Sequence, residues 1–159
     1  MIEHRKIRST TILGVRSKGK VAVAGDGQVT LGDMAMKQKA VKVRKFDSQK
    51  GGVVGGFAGA AADALTLFEK FEQKLDEYEG DLKRSVVEMA KDWRTDKILR
   101  HLEALLLVMD KRDSFIIAGD GNVIEPDGAI VSIGSGGGFA QSAATAFLQS
   151  GKYSAKQIA

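Results

Sequence analysis

Four short stretches of this chain carry side chains whose types and spacing could do chemistry. Ser9-Thr10-Thr11-Ile12-Leu13-Gly14-Val15-Arg16 places two adjacent threonine hydroxyls at the head of a β-prone run. Ala24-Gly25-Asp26-Gly27-Gln28-Val29 sets a carboxylate in a turn, Lys42-Val43-Arg44-Lys45 sets a lysine in a strand pattern, and Gly134-Ser135-Gly136-Gly137-Gly138 is a glycine knot around one hydroxyl. Each also has a plain structural reading. Asp-Gly is a strong tight-turn dipeptide, and Ala118-Gly119-Asp120-Gly121-Asn122-Val123 repeats the device without obvious chemistry. A strand lysine is ordinarily solvated. The alternation puts Val41, Val43 and Lys45 on one face and Lys42 and Arg44 on the other. An inward Lys42 would need a carboxylate partner, and Asp26 would serve.

The knot sits between a strand pattern and a helix pattern, where phosphate loops occur. It lacks Gly-x-x-x-x-Gly-Lys-Ser/Thr, and Phe139 takes the last place of Gly-x-Gly-x-x-Gly. A close approach of another backbone or of a substrate is the better expectation. Gly55-Gly56-Phe57-Ala58-Gly59 reads as strand-to-helix punctuation, with backbone N–H groups that could face an oxyanion.

The totals narrow the classes. With 159 residues, one domain with a real core is expected. Apolar residues at 43% and charged residues at 28% are ordinary for a globular protein. A net charge of +4, with basic residues spread along the chain and no aromatic interleaving, argues against a nucleic-acid surface. Cysteine is absent, which removes disulfides and thiolate metal sites and suits a reducing, cytoplasmic setting. His4 and His101 are far apart and make no metal pair. No apolar run approaches the roughly 20 residues of a membrane span, and residues 1–8 have no apolar core of a secretory signal.

These residues must be positioned by the elements around them. Strands are expected over Thr10–Val15 and Val21–Gly25, joined by a hairpin at Ser17-Lys18-Gly19-Lys20, then over Gln28–Leu31, Ala40–Phe46 and Gly52–Ala58. A polar connection is expected from Gly32 to Lys39. The period then changes. Ala61, Leu65, Phe68, Phe71 and Leu75 mark a helix over Ala60–Tyr78, which Gly80 ends. Asp81 caps a second helix with Leu82, Val86, Met89 and Trp93 as its stripe, running on as far as Leu102. Strands follow at Leu105–Met109, Ser114–Gly119, Asn122–Ile124 and Ile130–Gly134, then a helix over Phe139–Gln149 and a last one capped by Ser154. This order fits an α/β (α+β) four-layer αββα sandwich, with two antiparallel sheets between helices.

Taken together and in order, Thr10-Thr11-Ile12, Gly25-Asp26-Gly27-Gln28-Val29, Lys42-Val43-Arg44, Gly56-Phe57-Ala58-Gly59, Ala90-Lys91-Asp92-Trp93-Arg94-Thr95-Asp96 and Ile133-Gly134-Ser135-Gly136-Gly137 resemble the HslV family. These are peptidase subunits of HslUV-type ATP-dependent proteases, proteasome β-type members of the N-terminal-nucleophile hydrolases. The resemblance runs from about Thr10 to Ala159.

It implies a mechanism. Thr10 matches the family's mature N-terminal threonine: its hydroxyl attacks the scissile carbonyl and its own freed α-amine takes the proton. An amide nitrogen is no base, whereas a free α-amine titrates near about 7.7–8.0. By the same resemblance, Lys42 lowers the amine's proton affinity and stabilises developing negative charge. Asp26 holds Lys42, Ser135 bonds near the amine and relays the proton, and the Gly59 N–H faces the oxyanion. Residues 1–9 are expected to be a prosegment and 10–159 the peptidase domain. An uncut head would leave a zymogen or a silent ring subunit, and a small-amide amidase of the wider group is a further alternative. The resemblance further implies two stacked six-membered rings of this chain, an HslU-type AAA+ unfoldase that spends the ATP, and unfolded proteins as substrates. Relatives continue past Ala159 through closing strands that carry a monovalent-cation site. The C-terminal end of the family domain is therefore expected to be missing, and no cofactor is expected on this chain.

Overall fold

The computed structural model describes residues 10–31, 34–37, 41–59, 61–97 and 104–159. Ten strands and four helices follow one another within those bounds: β1 Ile12–Ser17, β2 Lys20–Gly25, β3 Val29–Leu31, β4 Met34–Lys37, β5 Val43–Phe46, β6 Val53–Ala58, α1 Ala61–Glu77, α2 Leu82–Thr95, β7 Leu105–Met109, β8 Ser114–Ala118, β9 Val123–Ile124, β10 Ile130–Ile133, α3 Gly137–Ser150 and α4 Ala155–Ile158. Two antiparallel sheets carry the fold, β10-β1-β2 and β5-β6-β7-β8-β9, with β3-β4 as a separate hairpin.

Three groups of apolar residues correspond to the three interfaces of a four-layer stack, and strand alternation produces them. On β7, Leu106 and Val108 point to the cluster under α1 and α2, which holds Phe46, Phe57, Phe71 and Trp93. Leu107 and Met109, the intervening residues, point between the sheets with Ile12, Val131 and Ile133. On β1 the next residues, Leu13 and Val15, face away into the third cluster with Ala144 and Ile158 of α3 and α4. Gly14 sits opposite Met109 and Leu107, where a Cβ would collide with the methionine sulfur. The sheets can close there only because that position is glycine.

Local code explains most boundaries. The β1–β2 turn has positive φ at Lys18 (51°) and Gly19 (71°), the pattern a right-twisted two-residue hairpin requires. Asp81 caps α2 by accepting from the Arg84 N–H at 3.0 Å. Ser154 and Gln157 form a reciprocal capping box on α4.

Several expectations change. The Gly32–Lys39 connection contains strand β4, paired with β3 in register Leu31↔Met34, and its Met-Ala-Met run lacks the alternation that would mark it. α1 turns Leu67 to the core at 0% exposure and leaves Leu65 65% exposed, so the buried stripe runs through Leu67, Phe68, Phe71 and Leu75. α2 ends at Thr95, where the Asp96 N–H bonds the Asp92 carbonyl, so it does not reach Leu102. Residues 98–103, with His101, and residues 1–9, with His4 and the expected prosegment, lie outside the described residues. α3 starts at Gly137, two residues earlier than the sequence suggests. No helix among the described residues is long and apolar enough to cross a membrane.

Candidate active site

The site forms at one end of the sandwich, where β1 begins, β2 and β10 end, and the chain enters β5. Register aligns these ends: Ile12 pairs with Ile133 on one side and with Gly25 on the other. The residues just outside the ladders, Thr10 and Thr11, Asp26, and Gly134 to Gly136, are therefore neighbours in space although more than 100 positions separate the first from the last.

Asp26 is the hub. Its backbone N–H bonds the Thr11 carbonyl at 3.0 Å, which extends the β1–β2 ladder by one step. Its Oδ2 accepts from the Thr11 N–H at 2.5 Å. Oδ1 accepts from the Gln28 N–H at 3.2 Å and from Lys42 Nζ at 2.6 Å. The Lys42 side chain is only 10% exposed and that of Asp26 28%, so this is an ion pair largely withdrawn from water. Two backbone donors satisfy the carboxylate beyond the lysine, which is what keeps such a pair from being a net cost.

Lys42 also reaches Thr10 Oγ1 at 3.3 Å. Its route differs from the sequence expectation. Arg44 turns to Glu72 on α1 at 2.8 Å and stacks over Phe46, whereas Lys42 crosses to the end of β2. The alternation holds within the paired ladder Val43–Phe46, and Lys42 stands one residue before it. Val41, expected to share a face with Val43, is 82% exposed. Lys42 is anchored by its carbonyl, which accepts from the Phe57 N–H at 3.0 Å.

The knot closes the other side. Ser135 Oγ accepts from the Thr10 N–H at 3.2 Å, and the Gly136 N–H donates to the Thr10 carbonyl at 3.2 Å. Gly134 has φ +89°, and a Cβ there would strike the Thr10 carbonyl; one on Gly136 would strike Thr11 Oγ1. Glycine is required at both positions by contact with the threonine pair, not by phosphate.

Four of the five expected site residues, Thr10, Asp26, Lys42 and Ser135, are thus joined by hydrogen bonds. Gly59 stands apart: it directly follows β6, is exposed, and makes no hydrogen bond to the other four. Sequence reasoning missed the backbone contributions of Thr11 and Gly136. Their residue types gave a signal only through the glycine spacing, since any residue but proline has an N–H. Among the described residues, no group of three or more His, Cys, Asp or Glu side chains is arranged to hold a metal ion.

This fold and this convergence define a proteasome-like class, and comparison with known proteins bears that out. A family description of the proteasome subunit matches residues 7–156, and the chain belongs to that family. Within it, the chain is 54% identical over 155 residues to the ATP-dependent protease subunit HslV of Treponema denticola, a match spanning 98% of this chain and 86% of the relative. The crystal structure of eukaryotic HslV from Trypanosoma brucei superposes with a TM-score of 0.83 at 48% identity, covering 93% of this chain and 84% of that one. The relationship makes this chain a proteasome-type protease subunit.

Proposed function

We propose that this chain is a threonine endopeptidase of the HslV type, with Thr10 as nucleophile once residues 1–9 are removed. The observation that carries the reading is the Lys42 ammonium, held by Asp26 at 2.6 Å and standing 3.3 Å from Thr10 Oγ1. A charge-paired lysine held largely out of water and within reach of one hydroxyl is what an attacking oxygen needs.

In the uncut chain the Thr10 nitrogen is an amide that donates to Ser135, and an amide nitrogen cannot serve as the base. That state is a zymogen. Opening the Ser9–Thr10 bond converts the amide into an α-amine on the same residue. In neutral form it takes the proton from Thr10 Oγ1 as the oxygen attacks the scissile carbonyl carbon. The negative charge passes to the carbonyl oxygen, for which the Gly59 N–H is the proposed donor. As the tetrahedral species collapses, the ammonium returns its proton to the leaving amine. An ester to Thr10 remains, and water, deprotonated by the same amine, hydrolyses it. Lys42 stays charged throughout and favours both the neutral amine and the developing oxyanion. Ser135 orients the amine.

We assign no cofactor to this chain. The partners are an HslU-type AAA+ ATPase, which hydrolyses ATP and delivers unfolded protein, and further copies of this chain in two stacked six-membered rings, acting in the cytoplasm.

Intact mass of the purified chain and of Thr10→Ala is the first test, followed by peptide hydrolysis with the ATPase and ATP. Loss of residues 1–9 and hydrolysis in the wild type, with neither in the variant, is expected. Hydrolysis that survives Thr10→Ala would overturn the reading.

A further inference from the structure

At the end of the sandwich remote from Thr10, three turns surround a cavity of about 640 Å³. Register brings two of them together. Phe46 pairs with Val53 and Val54 with Met109, so the β5–β6 and β7–β8 turns leave the sheet side by side, at the end of β5 away from Lys42. The α1–α2 turn joins them at Gly80, where a Cβ would strike Ser48 Oγ. Hydrogen bonds fix all three. Ser48 Oγ donates to the Gly51 carbonyl at 2.5 Å. Asp110 Oδ1 accepts from the Arg112 and Asp113 N–H groups, each at 2.7 Å. Asp81 Oδ1 accepts from the Arg84 N–H at 3.0 Å.

We propose that this cavity binds a linear phosphate chain of the triphosphate type, recognised through its phosphates alone, whether free or as the tail of a nucleotide. Four cationic side chains line it and arrive from all three turns: Lys50, Lys83, Lys111 and Arg112. None is committed to a close partner inside the cavity. Lys111 and Arg112 are exposed and form no ion pair among the described residues. Lys50 Nζ stands 3.8 Å from Asp81 Oδ2, beyond hydrogen-bond length. Lys83 meets Glu125 at 3.1 Å, but Glu125 lies outside the lining and water weakens so exposed a pair. The lining also holds three carboxylates. Asp81 and Asp110 already accept from backbone N–H groups, which offset part of their charge, and Asp113 is the carboxylate left without a donor among the described residues.

A single phosphate would reach only part of this set. A chain of phosphates carries several charges close together and can meet cations from all three turns at once. Arg112 offers a planar fork that grips two phosphate oxygens, and the lysines offer point charges. The volume falls within the roughly 300–1,000 Å³ of small-molecule sites. Nothing there would hold a base: the described lining contains no aromatic ring, and Leu82, its large apolar residue, is only 4% exposed. The site goes beyond the peptidase reading and does not rest on it.

Isothermal titration calorimetry of the full chain, at low salt and without magnesium, tests this with sodium triphosphate, ATP and adenosine. Triphosphate and ATP should bind alike, more weakly as salt is added, and adenosine should give no heat. Lys111→Glu with Arg112→Glu should weaken triphosphate binding by about tenfold or more, the scale of two lost charge-assisted contacts. Lys152→Glu with Lys156→Glu makes the same change in net charge on exposed residues outside the lining, and should stay within about twofold of wild type. Lys111→Gln with Arg112→Gln removes the cations without adding carboxylates beside Asp110 and Asp113, so it reports the loss even if the reversed pair unfolds; it too should weaken binding. No binding of triphosphate by the wild type, equal losses in the Lys111/Arg112 and Lys152/Lys156 variants, or full binding by the glutamine pair would overturn the proposal. So would ATP binding more than about tenfold tighter than triphosphate, since recognition would then lie in the base.

Discussion

The chain writes nearly the same words twice. Ala24-Gly25-Asp26-Gly27-Gln28-Val29 and Ala118-Gly119-Asp120-Gly121-Asn122-Val123 each follow a strand, and in each the aspartate Oδ1 accepts from the N–H two residues on, at 3.2 Å from Gln28 and 3.0 Å from Asn122. This is the Asx turn that short acidic side chains favour. The turns diverge in everything else. Asp120 stays local: it is exposed, its other oxygen bonds the Asn122 side chain, and the turn closes a hairpin back onto β9 through the Gly121 N–H to the Ala118 carbonyl at 2.9 Å. Asp26 closes no such hairpin, because β3 pairs with β4. Its carboxylate is left to face the Thr11 N–H and Lys42. The local code makes a turn in both places, and only the elements that arrive from elsewhere make one of them a site.

The sharpest way to break this comparison is to remove what only the first turn has. Lys42→Met should lower peptide hydrolysis by roughly 10²–10³-fold, the scale of losing a preorganised electrostatic group. Asp26 keeps its two backbone donors, so the folding cost should stay at about 1–3 kcal/mol, the range for a polar group that loses one partner, read by thermal denaturation. A variant with full hydrolysis would make Lys42 a structural lysine and the two turns equivalent.

Next comes a matched pair. Asp26→Asn keeps one acceptor oxygen, enough for either the Gln28 or the Thr11 N–H, and removes the charge that holds Lys42. Hydrolysis should fall by about 10²-fold, by the same reasoning as for Lys42. Asp120→Asn should stay within about twofold of wild type, as surface changes usually do. Equal losses in the two variants would mean that the turn, not the ion pair, matters to the site.

How much of this was legible follows from the range of the interactions. Turns, caps and helix faces are written within a few residues, and the Lys18-Gly19 hairpin, the Asp81 cap and the Trp93 stripe were readable. The layered stack was readable from the order of periods. β4 was not, because Met-Ala-Met has no alternation and gains its strand from pairing with β3. The direction of Lys42 was not, because alternation governs side chains only inside a ladder and Lys42 stands at its end. The roles of Thr10, Asp26, Lys42 and Ser135 came from a resemblance of the whole set; no single motif carried them, as the near-copy at Asp120 makes plain. The Gly136 N–H was invisible in residue type, and only the impossibility of a Cβ beside Thr11 exposes it.

That impossibility gives a third contrast, within the knot. Gly136→Ala pushes a methyl into Thr11 Oγ1, while a Cβ on Gly138 meets nothing within 4 Å. Gly136→Ala should depress kcat with KM little changed, since it shifts the threonine and leaves the substrate surface alone. Gly138→Ala should leave the rate unaltered. It should raise stability by about 0.5–1 kcal/mol, the usual gain when alanine replaces glycine in a helix. Comparable rate losses in both would place the effect in helix α3, not in contact with Thr11.

The smallest expected effect isolates the share of the turn itself. Asp120→Ala removes the Asn122 hydrogen bonds from an exposed turn. Net hydrogen bonds of this kind contribute about 0.5–1.5 kcal/mol, and exposure puts this one toward the lower end. Thermal denaturation should show that small loss with hydrolysis unchanged. The value then serves as the turn's own contribution. Subtracting it from the destabilisation of Asp26→Ala leaves the part that Lys42 and Thr11 add. A remainder near zero would mean that the ion pair at the site gives no net stability, and that Asp26 holds Lys42 in place for chemistry alone.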